Sequence, residues 1–309
     1  MGGVILKRRR NWKTQLLNDW QIYILLLPGI IYFIIFHYIP LYGIQIAFKD
    51  YKVSKGIADS AWIGFENFRT FFNSYYCGRL ILNTLLLNVY SLLWSFPVPI
   101  ILALLLNRIK QERFKKFTQT VIYIPHFIST VVMAGMLYIF LSPETGMINL
   151  LIKFLGGQPV YFMAEAGWFR TVYIASGIWQ SAGWGTILYI AALTGVDQEI
   201  YEAATLDGAS VMQKIRHIDI PSILPIAVMM LILECGKIMG GDTQKALLLQ
   251  TSSNTATSDI IGVYVYNVGL GQAKYSYTAA IGLFQNLIGF VMIVAVNTIS
   301  KKVSSVSMF

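Results

Sequence analysis

Charge, cysteine and histidine are all scarce in this chain. Charged residues fill 13% of its 309 positions, about half the share of a soluble globular domain. That excludes an ordinary water-soluble domain. The two cysteines, Cys77 and Cys235, stand far apart. No disulfide framework or thiolate metal site follows from their spacing, and each reads as a small apolar filler. His37, His126 and His217 lie in three separate stretches and offer no metal-ligand pattern. No G-x-x-x-x-G-K followed by Ser or Thr occurs, so the chain has no phosphate-cradling loop with which to bind and hydrolyse ATP. There is no serine nucleophile elbow and no internal repeat. An enzymatic reading is left without residues to carry it.

What is present is apolar: 56% of the residues are hydrophobic, gathered into runs long enough to cross a bilayer. The net charge of +9 does not point to nucleic acid. The basic residues sit in short clusters beside apolar runs, which is the orientation signal of membrane proteins. The chain reads as an all-α polytopic membrane protein with six transmembrane helices and both termini cytoplasmic. Residues 1–19, with Lys7, Arg8, Arg9, Arg10 and Lys13, form a basic cytoplasmic N-terminus. Trp20–Ile39 is too long and too free of a cleavage site for a signal peptide, and reads as a retained first span. Residues 41–79 lie outside. The second span is Leu80–Leu106, and the basic loop 107–116 fixes its end inside. The third, Thr118–Leu141, is interrupted at Pro125-His126. Outside again, Gly146–Leu155 reads as a surface-lying amphipathic helix. The fourth span is Arg170–Thr194 and the fifth Ile223–Gly240. A loop rich in Ser, Thr, Asn and Gly covers 241–274, and the sixth span is Tyr277–Ile299. The membrane domain is thus 20–300, followed by a cytoplasmic tail, 301–309, that opens with Lys301 and Lys302.

Between the fourth and fifth spans lies a polar island. Asp197–Asp219 holds five of the chain's fifteen carboxylates, so this inner loop departs from the positive-inside pattern. Its local chemistry spells two short helices within 197–221. Asp197 caps the first, with Glu199 in the opening turn where negative charge suits the helix dipole. Gly208 stops it. Ser210 and Gln213 form a capping box for the second, and Pro221 is expected to end that helix. A helix–Gly–helix hairpin hung between two spans reads as a docking element for a cytoplasmic partner.

Glu202-Ala203-Ala204, three residues, Gly208, nine residues, Ile218, one residue, Ile220-Pro221 resembles the EAA motif of ABC importer permeases. Every spacing agrees, and Ile220 in place of Leu is the one departure. The resemblance implies the fold of a type I ABC importer permease. It makes the hairpin a coupling helix seated on a cytoplasmic ATPase, with Glu202, Ala203, Ala204, Gly208, Ile218 and Pro221 as the coupling residues. It further implies a cytoplasmic ATPase dimer that carries ATP and Mg, a second homologous permease making a heterodimer, an extracytoplasmic sugar-binding lipoprotein, and a multi-pass location in a bacterial cell membrane. No cofactor is expected on this chain.

Two further segments narrow the resemblance. Trp62–Phe68 (WIGFENF) is similar to a short pattern ahead of the second span in sugar-importer permeases. Ser258–Phe284, through Asp259, Tyr264, Val265, Tyr266, Gly269, Leu270, Tyr275, Ser276, Tyr277 and Gly282, is similar to a branch that imports oligosaccharides and complex glycan fragments. Gly240-Gly241-Asp242-Thr243-Gln244 departs from that branch, where a more apolar segment with an acidic residue is expected. For the sugar path the expected residues are Trp179, Gln180, Trp184, Glu234, Lys237, Gln285 and Asn286. Aromatic faces stack on sugar rings, amides and carboxylates bond hydroxyls, and ionisable groups within a span are functional candidates. Glu234 and Lys237, at i and i+3, read alternatively as a neutralising pair, and the tryptophans as packing or belt residues. Two other readings stay open: the same permease plan for a different solute, and a secondary transporter driven by an ion gradient.

Overall fold

A computed structural model describes residues 20–304. The expected basic N-terminus, 1–19, lies outside the described residues, as does the tail beyond 304. The described chain is helical apart from its connections and one small hairpin pairing Lys49–Asp50 with Ala61–Trp62. Four helical stretches are long and apolar enough to cross a membrane: Trp20–Phe48, Cys77–Arg108, Val211–Gly236 and Tyr275–Lys302. A fifth candidate is broken. Glu112–Phe127 and Thr130–Phe140 meet at 98°. The expected fourth span falls in Ala166–Thr194, a 29-residue helix spanning about 43 Å at the usual rise. Its Ser, Gly, Gln and Trp residues leave it less apolar than the other four.

The first helix is exposed along nearly all of its length, from Trp20 to Ile44. So continuous an apolar face suits lipid rather than water. The chain then returns to the body. Phe48 stacks on Trp62 with ring centroids 5.7 Å apart and meets Phe65 and Phe68 edge-on or tilted. Asn67 donates to the Ala47 carbonyl at 2.9 Å. The WIGFENF stretch therefore forms a compact aromatic clasp over the end of the first span.

Ala166–Thr194 is the hub. It packs against the second span, the broken third span, Ile220–Gly236 and the 243–258 segment. One buried cluster joins its Phe169, Tyr173 and Ile174 to Leu87, Ala134, Ala246, Leu249, Ile260 and Val263. A second cluster joins Ala103, Tyr189, Leu193 and Ile223. Small residues let backbones come close where helices cross. Gly183 lies against the carbonyl of Ile122, and Gly236 and Gly289 face each other where Ile220–Gly236 crosses the last helix.

Two expectations are corrected. The 241–274 stretch is not a loop. It folds as three short helices, Thr243–Leu249, Thr255–Ser258 and Ile261–Gly269. Asp242 caps the first by accepting from the Lys245 N–H, and the buried Asn254 donates to the carbonyls of Met163 and Leu249. Its polar residues serve as caps and staples rather than as solvated loop. Pro221, likewise, does not end the second hairpin helix. The chain runs through a π-helical turn, Ile215–Asp219, into Ile220–Gly236. The wider turn absorbs the hydrogen bond that proline cannot donate, and Ser222 donates to the Ile218 carbonyl at 2.7 Å. The fifth span therefore begins within the hairpin.

A Cβ at Gly183 would overlap the Ile122 carbonyl. Overpacking of this kind costs about 1–3 kcal/mol. Gly183→Ala is thus expected to lower the thermal unfolding temperature of the detergent-purified protein, and an unchanged temperature would mean that the crossing yields freely.

Candidate functional site

Two places concentrate polar chemistry: a cleft among the spans and the hairpin at one end of them. The cleft has a volume of about 860 Å³. The second span lines it with Asn88, Ser91, Ser95 and Pro99, and the hub helix with Tyr173, Gly177 and Gln180. Glu234, Lys237, Asp242, Lys245, Gln285 and Asn286 complete it. Five of the seven residues expected on a sugar path thus meet in one cavity. Lys237 and Glu234 are paired at 2.7 Å, both partly exposed. The Gln180 amide donates to the Ile128 carbonyl at 2.7 Å, where the third span breaks. Gln285 donates in the same way to Met239 at 2.5 Å. These amides support broken backbone while lining the cleft.

Trp179 and Trp184 are not among the lining residues. Trp184 stacks flat on His126, with centroids 4.4 Å apart and 5° between planes, and Trp179 is exposed. Positions 180 and 184 fall on neighbouring parts of one helix face, but Gln180 lines the cleft while Trp184, one turn on, is taken up by His126 and Phe127.

The sequence reading missed a second group. Lys245 is buried, donates to the Tyr173 carbonyl at 2.5 Å and lies over the Tyr173 ring at 4.4 Å. The Tyr173 hydroxyl accepts from the Asp242 N–H at 3.1 Å. This knot closes one wall of the cleft. It was hidden because 241–274 reads as a loop, where a lysine counts as solvated.

At the other end the hairpin has the local structure its sequence spells. Asp197 accepts from the Glu199 N–H at 3.0 Å. Gly208 takes φ +75°, a conformation that glycine adopts without steric cost. Ser210 and Gln213 complete a reciprocal capping box. Lys214 donates to the Thr205 hydroxyl at 2.7 Å and staples the two helices together. Glu202, Ala203 and Gly208 are exposed and Ala204 and Ile218 half-buried, with Pro221 exposed at the root of the fifth span. Leu206 is 89% exposed and Met212 69%, so apolar side chains stand uncovered on an otherwise polar element.

Residues 79–305 match the family of binding-protein-dependent transport system inner membrane components. The chain belongs to that family. It is a multi-pass permease component of an ABC transporter, a transport subunit rather than an enzyme. Among its relatives, the protein LplB of Bacillus subtilis (strain 168) is 42% identical over 299 residues, covering 97% of this chain and 94% of the relative. The polygalacturonan/rhamnogalacturonan transport system permease YteP of the same organism is 40% identical, covering 96% and 92%. The fold also resembles a chain in the crystal structure of a bacterial alginate ABC transporter in complex with an alginate pentasaccharide-bound periplasmic protein. The TM-score is 0.88 and the identity 38%, covering 97% of this permease and 100% of that chain.

At the hairpin root, burial and a hydrogen bond to Asp219 push the Tyr201 hydroxyl up to about 12, above the ordinary tyrosine value of about 10. A raised value means that the folded permease holds this proton more tightly than the unfolded chain. The stabilisation is complete below the unfolded value and is lost as pH rises through the folded one. The wild-type advantage in thermal stability over Tyr201→Phe should therefore hold to about pH 10 and shrink towards pH 12; a difference that is flat across that range would contradict the assignment.

Proposed function

We propose that this permease is one of two homologous transmembrane subunits of an ATP-driven importer for oligosaccharides, including complex glycan fragments. The observation that carries the substrate class is the end-to-end likeness to the permease chain of the alginate transporter. The polygalacturonan/rhamnogalacturonan permease among its relatives supports the same class. The cleft suits sugar, because amide, hydroxyl and paired charged groups face one cavity and can exchange hydrogen bonds with hydroxyls. Gln180, Glu234, Lys237, Gln285 and Asn286 are the proposed path residues. Trp179 and Trp184 are reassigned to packing or to contacts beyond this chain.

In this reading six spans cross the membrane, counting the broken third span and the hub helix, with both termini cytoplasmic. The hairpin couples the permease to a cytoplasmic ATPase dimer that binds ATP and Mg. Its uncovered Ile200, Leu206, Val211 and Met212 support a protein partner there, since several exposed apolar side chains on one short element mark an interaction surface. Glu202, Ala203, Ala204 and Gly208 form the seat, and Ile218 and Pro221 join it to the fifth span. A sugar-binding lipoprotein delivers substrate from outside.

Purification in mild detergent should bring down an ATPase, a second permease and a binding lipoprotein. Failure to recover an ATPase, even with a crosslinker placed at position 202, would remove the coupling role. Gly208→Val introduces a β-branched residue at positive φ, a strain of about 1–3 kcal/mol. It should leave ATP hydrolysis measurable while sharply reducing oligosaccharide uptake in reconstituted vesicles, and normal uptake would overturn the role given to the turn.

A further inference from the structure

Asp219 is fully buried where the hairpin runs into the fifth span. Its carboxylate is held from two directions. Tyr201, on the first hairpin helix, donates its hydroxyl to Oδ1 at 2.6 Å. Arg108, the last residue of the helix Pro97–Arg108, donates Nη2 to Oδ2 and forms an ion pair there. The Arg108 guanidinium also lies over the Tyr201 ring, 5.7 Å from its centroid. Three segments distant in sequence meet at one carboxylate: the second span, the hairpin and the start of the fifth span.

The three groups are bound to act together. A buried carboxylate that loses its cation is strongly unfavourable. Asp219 is the carboxylate that Arg108 pairs with, and Arg108 Nε is buried without a hydrogen-bond partner of its own. When the hairpin moves, separating it from Arg108 would strand both charges. Carrying the second span along costs less. That helix is a stiff lever. Its Ala103 is buried against Tyr189, Leu193 and Ile223, and its Pro99 lines the cleft about 13 Å from Arg108 by helical rise.

We propose that Arg108, Asp219 and Tyr201 form a positioning joint that carries movement of the hairpin into the second span and so to the cleft wall at Ser95 and Pro99. The joint rests on the coupling-hairpin reading above. It adds a second route into the membrane beside the fifth span, through a residue outside the coupling motif.

The test uses the whole complex, reconstituted in liposomes with its binding protein, and reads oligosaccharide moved per ATP hydrolysed. Arg108→Gln and Asp219→Asn should each lower this ratio about tenfold, in the usual range of coupling free energies between sites, with basal ATP hydrolysis retained. The double variant should be no worse than the poorer single, because the two act as one unit. Arg108→Lys, which keeps the charge, should recover most of the ratio. Should Asp219→Asn fail to accumulate, Tyr201→Phe removes only a hydroxyl and should still lower the ratio. An unchanged ratio in Arg108→Gln and Tyr201→Phe, or losses in the double variant that multiply, would overturn the joint. Recovery of the ATPase with the wild-type chain separates the two failures. If no ATPase is recovered, the hairpin reading falls; if it is recovered and the ratio stays unchanged, only the joint does.

Discussion

A carbonyl group left bare in hydrocarbon costs several kcal/mol, and this permease breaks its helices where they lie against one another. Each break therefore needs an internal donor. Amide side chains supply it. Gln180 serves Ile128 at the bend of the third span, and Gln285 serves Met239 past the end of the fifth. Asn83 serves Ala256 and Asp259. Asn149 serves Leu141, Ser142 and Val160 and accepts from the Val160 N–H. Asn83, Asn149 and Asn254 are almost wholly buried. Without Gln180 and Gln285 the carbonyls at the two breaks beside the cleft would lose their side-chain donors.

The same requirement accounts for the polarity of the cleft. Breaks in helices at depth expose backbone, and the two amides that satisfy it beside the cleft, Gln180 and Gln285, also line the cavity. For these two amides, supporting the fold and lining the cleft are thus one arrangement. The hub helix is the least apolar of the long helices for this reason. One of its faces meets apolar neighbours such as Leu87 and Val263, and another presents Gln180 and Gly177 to the cleft.

The hairpin end follows another logic. Around the hairpin, water can satisfy stray polar groups, so its two short helices are fixed by local caps and by the positive φ of Gly208. Only at its root, where Asp219 enters the packed interior, does tertiary structure take over. There a single carboxylate must find a cation and a hydroxyl, and it finds them on segments 111 and 18 residues away in sequence.

The amino-acid sequence by itself determined the membrane class, the apolar runs and the hairpin with its caps and turn. All of these rest on interactions within a few residues, where composition and spacing are enough. It also marked five of the cleft residues, because a polar side chain within an apolar run is conspicuous whatever it faces. The tertiary structure alone decided which way those residues turn. Gln180 lines the cleft while Trp179 and Trp184 do not, since what each position on a helix meets is set by its neighbours. It alone folded 241–274 into helices, whose local caps are held in place by staples to residues far along the chain, such as Asn254 to the Met163 carbonyl. It alone continued the hairpin through Pro221, because a π-helical turn relieves the proline, and it alone paired Arg108 with Asp219, since no local pattern records a contact between two spans.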